Sequence, residues 1–120
     1  MGMTDQRTTT RPLLPHHKLL AYDVALTLLV AVKAAEIRDP KLRDQAMRSA
    51  KSAALNIAEA AGRVSRADRA RVFAIARGEA MEAAAAVEIA VLAGDADERA
   101  FEACLPVANR LGALLTGLCR

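Results

Sequence analysis

Aromatic side chains are nearly absent from this chain of 120 residues, which has no Trp, one Tyr and two Phe. Its apolar residues, 53% of the total, are instead mostly Ala, Leu and Val. A β-sheet core favours β-branched and aromatic side chains, whereas alanine is the strongest helix former and adds little volume. The composition therefore predicts an all-α fold of one domain, an antiparallel up-down-up-down four-helix bundle with closely packed helices.

Long apolar runs and paired cysteines are also missing. The most apolar stretch, residues 24–32, has about half the length that a membrane span requires. Cys104 and Cys119 lie fifteen residues apart on one predicted helix, which separates them by about 22 Å, too far for a disulfide. No secretory signal pattern opens the sequence. We therefore expect a cytoplasmic protein with reduced thiols and no membrane partner.

The sequence has few residues that are suited to catalysis. Its only histidines, His16 and His17, are adjacent, so their side chains face apart and cannot chelate a metal as an i, i+4 pair does. Glu79, Glu82 and Glu88 lack the Glu-x-x-His pattern of di-iron bundles. No strand followed by a glycine-rich phosphate loop is predicted. We expect no metal, no cofactor and no enzymatic activity.

Helix-capping residues divide the chain. Residues 1–15 are polar and contain two prolines, so they predict a flexible tail. Asp39 before Pro40 is typical of a helix start, and Gly62 of a helix end. Ser65 is a second N-cap candidate. The bundle is predicted to occupy residues 16–120, with helices at about 16–37, 40–61, 66–93 and 96–119.

The last predicted helix contains Pro106, which removes a backbone hydrogen bond and should bend the helix. Gly112 and Gly117 follow it and weaken the helix further. We favour one kinked helix. The alternative is a break near Leu105 that gives two short helices.

The first predicted helix is apolar on almost all sides, and the third has the same character over residues 83–93. A surface helix of a bundle buries one side, so the other side of such a helix needs cover. A second copy of the chain supplies that cover, and we therefore predict a homo-oligomer. Its predicted interface residues are Val24, Leu28, Leu29 and Val32. The alternative is a monomer with an apolar surface.

Two sequence blocks resemble one protein family. The first reads SAALNIAEAAGR, residues 52–63, and the second reads FAIARGE, residues 73–79. Together with KLLAYDVAL near the start, they make the chain similar to the bacterial family of proteins encoded by intervening sequences in 23S ribosomal RNA genes. Ala54, Leu55 and Ala60 depart from the family's usual Pro, Ser and Gly, which removes the proline that would kink the second helix.

The resemblance implies a cytosolic four-helix bundle that assembles into a ring-like homopentamer. Most members of the family have no established biochemical role. One branch comprises accessory proteins of diversity-generating retroelements, which bind nucleic acid and a reverse transcriptase through a basic surface. No motif of this chain assigns it to that branch, and a fold does not fix a function, so binding has to be argued from residues.

Three polar residues of the second predicted helix, Ser52, Asn56 and Glu59, share one face because they are three or four residues apart. On the third helix, Arg77 is expected at the level of Ser52 and Asn56, and Arg69 near Glu59. Buried polar groups need partners, so we predict a structural polar network. Its members are Ser52, Asn56, Glu59 and Arg77. The alternative is a ligand site, although no nucleophile or base lies nearby.

Charge is unevenly distributed along the chain. Residues 1–77 carry fourteen basic and seven acidic side chains, whereas residues 78–120 carry three and seven. In the predicted bundle the basic groups gather at one end, around the turn between the second and third helices. The predicted nucleic-acid-binding residues are Arg63, Arg66, Arg69, Arg71 and Lys18. They would contact phosphates, since the chain lacks the aromatic side chains that stack on bases.

Two functions remain open at this point. The first is a homo-oligomeric adaptor that binds RNA, DNA or a nucleic-acid-handling protein through a basic rim. The second is a structural oligomer that binds a protein partner or an apolar ligand. In the second case the basic surface is solvated charge without a ligand.

Overall fold

The computed structural model describes residues 13–120 and folds them into four α-helices, with no β-strand in that range. The all-α prediction is thereby confirmed. A short 3-10 turn, Pro15–Lys18, comes before the helices, which are α1 Leu20–Ala34, α2 Pro40–Gly62, α3 Arg66–Leu92 and α4 Glu98–Leu118. Residues 1–12 of the predicted flexible tail lie outside the described residues.

The first helix is shorter than the predicted span of residues 16–37. It starts late because Leu19 is extended, with φ −95° and ψ 125°, which separates the 3-10 turn from α1. It ends early because Glu36 adopts a left-handed conformation with φ 48°. This turn of the chain places the side chain of Ile37 in the core, where it is 1% exposed. Burial of one large aliphatic side chain thus outweighs another turn of helix.

Side-chain caps fix the starts of the other three helices. The carboxylate of Asp39 accepts a hydrogen bond from the N–H of Leu42 at 2.9 Å. The hydroxyl of Ser65 accepts one from the N–H of Asp68 at 3.1 Å. Asp97 is the N-cap of α4, which therefore begins two residues later than predicted. Each cap satisfies a backbone donor that the first helical turn leaves without a partner.

α4 is a single helix that runs without a break through Pro106. The alternative of two short helices is not observed. Pro106 lies on the exposed side of α4, beside Val24 and Thr27 of α1. α2 is continuous too, in keeping with the absence of a proline after its first residue.

Alanine dominates the buried faces of α2 and α3, which share the most extensive contact between helices in the fold. Side chains this small let helix backbones approach closely, because the distance between two helices depends on the side chains at their contact. Eight alanines of these two helices have no exposed surface: Ala46, Ala50, Ala53, Ala60, Ala76, Ala80, Ala83 and Ala90.

The helices follow one another around the bundle in chain order. Each packs against the next, α4 packs against α1, and α1 and α3 contact each other only slightly. At one end, Arg38 joins two loops: its N–H donates to Asp95 O at 2.8 Å, and its guanidinium donates to Gly94 O. At the other end, the Arg66 guanidinium lies 3.4 Å from Arg120 O. The first and third connections thus contact each other, and the second connection lies near the last residue.

We expect Ala83→Leu to destabilise the fold, because Ala83 is fully buried and a leucine forces the neighbouring helices apart. Overpacking of this kind costs about 1–3 kcal/mol in the free energy of unfolding. Urea unfolding followed by circular dichroism measures the loss. The matched control is Ala67→Leu, because Ala67 is exposed in the first turn of α3. Equal losses in the two variants would contradict the close packing described here.

Candidate nucleic-acid interface

The predicted cations lie at the end of the bundle where α2 turns into α3. Arg63 and Arg66 flank this turn, and Arg69 and Arg71 follow within the first two turns of α3. Lys18 ends the 3-10 turn, which packs against α2. The start of α1 also lines a hollow with the end of α4, so Lys18 belongs to the same end of the molecule. We call these five residues the basic end.

One carboxylate holds two of the arginines of the basic end. Asp68 Oδ2 lies 3.0 Å from Arg63 Nη1, and Asp68 Oδ1 lies 3.0 Å from Arg71 Nη2. Arg63 also pairs with Glu59, one helical turn before it. The hydrogen bond from Arg71, supported by the charge of Arg63, lowers the pKa of Asp68 below its usual 3.8, while desolvation opposes that shift. Asp68 is therefore ionised at neutral pH and fixes the positions of both guanidinium groups.

Arg69 forms hydrogen bonds to the backbone of its own subunit. Its Nη1 donates to Arg63 O at 3.1 Å and to Val64 O at 3.0 Å. Both carbonyls follow the last turn of α2, where helix geometry leaves acceptors without intrahelical partners. The predicted contact between Arg69 and Glu59 is wrong, because Glu59 pairs with Arg63 instead. Arg69 thus stabilises the turn, and its Nη1 is already occupied.

The two remaining cations of the basic end, Arg66 and Lys18, are exposed and form no ion pair with any residue of the range 13–120. Arg66 makes only a long hydrogen bond to Arg120 O. Between Arg63 and Arg66, the side chain of Val64 is 94% exposed. Arg66 and Lys18 are therefore the cations best placed to contact a phosphate.

No aromatic side chain of the protein is exposed for stacking on a base. Phe73 is buried in the core, and Phe101 is half-buried. Tyr22 is half-buried and packs edge-on against the ring of His16, with ring centroids 4.6 Å apart. The ring of His17 lies 4.2 Å from that of His16 with the two planes tilted by 44°, so the prediction that these side chains face apart is wrong. The basic end thus offers charge without a stacking platform.

The predicted polar network does not form across α2 and α3. Asn56 Nδ2 donates to Ser52 O at 2.8 Å and to Ser52 Oγ at 3.0 Å, within α2 itself. Arg77 turns away from both residues: its Nε donates to Thr116 Oγ1 at 2.9 Å and lies 3.4 Å from Gly112 O, both on α4. The prediction failed because the rotation of α3 about its own axis directs position 77 toward α4.

Three of the four predicted interface residues are already buried within the subunit. Val24, Leu28 and Val32 are 5%, 0% and 2% exposed, and Leu29 is half-buried. α1 packs against both α2 and α4, so its buried side is wider than a single apolar stripe. Val24, Leu28 and Val32 therefore belong to the core of one chain and are not available to a second copy, whereas Leu29 keeps part of its surface exposed.

Large exposed apolar side chains occur on all four helices, and α3 carries the most. Ile75, Ile89 and Leu92 are 43%, 53% and 81% exposed. Midway between the two isoleucines is Glu82, whose carboxylate accepts a hydrogen bond from Gln45 Nε2 on α2. We call Ile75, Glu82, Ile89 and Leu92 the α3 ridge. The apolar segment 83–93 was its signal in the sequence, yet the predicted interface omitted it.

A shallow groove follows the contact between α1 and α4 and contains three hollows. Each hollow is lined by residues of both helices. The first is lined by Leu20 of α1 and Gly117 of α4, the middle one by Thr27 and Arg110, and the third by Ala34 and Ala103. The first hollow has an apolar lining, and the middle one contains a single charged side chain, Arg110. The third hollow is bordered by four charged residues: Glu36, Arg38, Asp97 and Arg99. We call these hollows together the α1–α4 groove.

Groups with catalytic or metal-binding chemistry are not assembled in the described part of the chain. Residues 13–120 contain no cluster of His, Cys, Asp and Glu that fits a metal ion. The thiol of Cys104 is fully buried, and this burial raises its pKa, which opposes formation of a thiolate. None of the helices in this range has the length and apolar character that crossing a membrane requires.

The family model of the 23S rRNA-intervening sequence protein matches residues 18–117 of the chain. The chain belongs to this family. The match covers α1, α2, α3 and all but the last residue of α4, so the resemblance seen in the two sequence blocks is confirmed. No curated protein sequence matches this intervening-sequence protein significantly.

In this intervening-sequence protein we expect Arg71→Ala to raise the pKa of Asp68 toward 3.8, because the hydrogen bond from Arg71 is the main cause of the lowered value. A lowered pKa in the folded state contributes stability above the unfolded-state value of about 3.9, and that contribution is lost as pH falls through the folded-state value. An NMR titration of the Asp68 carboxyl carbon measures the shift.

The control for this titration is Arg99→Ala, which removes a comparable arginine side chain beside Asp97 and leaves Asp68 untouched. The pKa of Asp68 should not change in this variant. An Asp68 pKa that also stays constant in Arg71→Ala would contradict the pairing of these two side chains.

Proposed function

We propose that this intervening-sequence protein is a non-enzymatic, homo-oligomeric adaptor of the cytoplasm that binds RNA or DNA, or a protein that handles them, through its basic end. We propose further that the subunit is an antiparallel up-down-up-down bundle and that five copies form a ring. The placement of the loops at two ends supports the topology. The family resemblance supports the ring, and the two free cysteines agree with a reducing compartment.

The single observation that carries the binding role is the exposed position of Arg66 and Lys18 at one end of the bundle. Arg63, Arg69 and Arg71 lie around them, and the acidic side chains paired with these cations are Glu59 and Asp68. Positive charge is thus in excess at this end after the internal ion pairs are formed. An excess of this kind attracts polyanions.

Asp68 supports the proposal because it orders the arginines and does not neutralise them all. A guanidinium group has five N–H donors, and the Arg71 group uses one of its nitrogens on Asp68. The Arg71 side chain is 58% exposed, so its remaining donors are accessible to a ligand. With no exposed aromatic ring nearby, the contacts we propose are to phosphates and do not depend on base sequence.

A ring multiplies the charge of one end. Copies related by rotation about a common axis all point the same way, so the basic end of every copy lies on one rim. Five copies give a rim with ten exposed cations of the Arg66 and Lys18 type. Such a rim can follow several phosphates of one nucleic-acid strand or duplex at once.

A second candidate function is the binding of a protein partner or apolar ligand. Val64, at 94% exposed, and the apolar first hollow of the α1–α4 groove favour it. An exposed aliphatic side chain between arginines is a typical contact for an acidic, partly apolar protein surface. In this case the oligomer has a structural role and no nucleic-acid ligand.

The proposed assembly predicts a mass of about five chains of 12.7 kDa in solution. Light scattering on a size-exclusion column at several loading concentrations measures this mass. A protein that stays monomeric at every concentration would contradict the assembly, and another subunit number would contradict the ring of five.

For nucleic-acid binding we expect tight, salt-dependent association with generic RNA and DNA oligonucleotides. Replacing both exposed cations, Arg66→Ala with Lys18→Ala, should reduce the slope of log affinity against log salt by about two per bound chain. Fluorescence anisotropy at several salt concentrations measures both the affinity and the slope. Arg69 is left in place because it stabilises the turn between α2 and α3.

The matched control removes two cations elsewhere, Arg48→Ala with Lys51→Ala, both on the exposed side of α2. This variant has the same net charge as the test variant, so an equal loss in both would mean that total charge and not the basic end binds. If the unaltered protein does not bind at low salt, the nucleic-acid role is excluded and the second candidate is favoured.

A further inference from the structure

We propose that the α3 ridge of one copy docks into the α1–α4 groove of the next copy. This inference rests on the proposed homo-oligomer and names the two surfaces that join its copies. Both surfaces face outward, and no part of residues 13–120 covers either of them. A contact between two different surfaces of the same chain repeats from copy to copy, and it forms a ring when the rotation closes.

The ridge and the groove share a spacing of seven residues. On α3, Glu82 lies seven residues from Ile75 and seven from Ile89, which is about 10.5 Å along a helix in each direction. On α4, Arg110 in the middle hollow is likewise seven residues from the positions that mark the two outer hollows. Each surface therefore has one charge at its centre and uncharged positions one spacing to either side.

Contacts inside the subunit show how the two patterns are aligned. Arg77 of α3 reaches Thr116 of α4, whereas Met81, four residues later on α3, lies nearest to Gly112. Residue numbers therefore increase along α3 in the direction in which they decrease along α4, so the two helices are antiparallel.

By this alignment, Glu82 stands at the level of Arg110 to within about one residue. Ile75 stands near the level of Gly117, and Ile89 near that of Ala103. Rotation about an axis parallel to the helices does not change the height of a residue along that axis. A neighbouring copy in such a ring therefore presents Glu82 opposite Arg110 with no shift along the helices.

Opposite charges select this pairing over a two-fold dimer. If two ridges docked on each other with two-fold symmetry, Glu82 would meet its own counterpart, and two grooves docked together would bring Arg110 against Arg110. Like charges in a desolvated contact are strongly unfavourable. Docking of the α3 ridge into the α1–α4 groove instead pairs the carboxylate of Glu82 with the guanidinium of Arg110, which has no ion pair within the described residues.

The shapes agree with the charges. Ile75 and Ile89 protrude from a face whose intervening outward positions, Gly78 and Ala85, are small. An added Cβ at Gly78 meets no atom within 4 Å, so this part of the ridge is open. The first hollow of the groove is lined by small or aliphatic side chains that suit Ile75. The third hollow has an alanine floor, including Ala34 and Ala103, inside its charged border, and this floor can receive Ile89. The apolar side chains supply affinity, and the charge pair fixes the register.

Charge reversal tests the pairing in the full chain. Glu82→Arg and Arg110→Glu should each raise the dissociation constant between copies at least about tenfold, because each brings like charges together. The double variant restores an opposite pair and should return the constant to within about threefold of the original. Sedimentation velocity over a dilution series measures the constants, and circular dichroism confirms that each variant is folded.

Two matched reversals on the exposed side of α2 are the controls, Asp44→Arg for the first variant and Lys51→Glu for the second. Both should leave the dissociation constant unchanged. If they weaken the oligomer as much as the test variants do, or if the double variant is no better than the single ones, the pairing is wrong.

Cysteine cross-linking gives a second, independent measurement. In a Cys119→Ser background, chains with Glu82→Cys are mixed with chains carrying Arg110→Cys, while Cys104 stays unreactive because it is fully buried. Oxidation should cross-link the mixture and leave each variant alone largely uncross-linked. Cross-linking of Glu82→Cys chains with themselves would indicate a two-fold contact and overturn the proposal.

The outcomes separate this inference from the proposed function. An oligomer that forms normally but ignores both reversals and fails to cross-link refutes the docking mode alone, and it leaves the groove for another occupant. A chain that is monomeric before any substitution refutes the homo-oligomer and the docking mode together.

Discussion

Close approach of α2 and α3 through alanine is the constraint from which the other features follow. Side chains such as Ala50 and Ala80 carry little volume, so stability at this contact depends on keeping the two backbones close. The turn between the helices can then be short. Asp68, in the first turn of α3, reaches back across this turn to Arg63 and also pairs with Arg71 on α3 itself, so the basic end is ordered where the two helices meet.

At the basic end, arginine side chains both stabilise the turn between α2 and α3 and supply the charge proposed for binding. Arg63 and Arg71 are ordered by Asp68, Arg69 binds carbonyls at the end of α2, and Arg66 is exposed with one long hydrogen bond to Arg120 O. Arginine suits all three tasks because its planar group donates in several directions while keeping its charge. Ion pairs this exposed add little free energy of folding. Their main effect here is to fix where the positive charge lies.

Local chemistry made much of the fold predictable from sequence. Asp39 and Ser65 cap the helices that they were expected to cap, because capping depends on neighbouring residues alone. Interactions between distant residues were harder to predict. The early end of α1 follows from the burial of Ile37, and the contact of Arg77 with α4 follows from the rotation of α3, neither of which has a local signal.

The candidate surfaces show the same contrast between local features, which the sequence predicts, and contacts between distant residues, which it does not. Composition correctly gathered the arginines at one turn, yet it did not show which of them would be used internally. The apolar character of α1 suggested an exposed surface, and Val30 is exposed, but α1 packs against two neighbours and buries the predicted Val24 and Leu28. On α3 the large aliphatic side chains are diluted by alanine, so their alignment on one face is visible only in three dimensions.

The position of Arg69 has a consequence for how this sequence can change. One guanidinium nitrogen bridges two carbonyls at the end of α2, so substitution by lysine would preserve the charge while replacing a rigid planar donor with a flexible point charge. Arg66, three residues earlier, does not bridge two carbonyls in this way. Two arginines three residues apart therefore differ in what they contribute to the fold, one the shape of its side chain and the other mainly its charge.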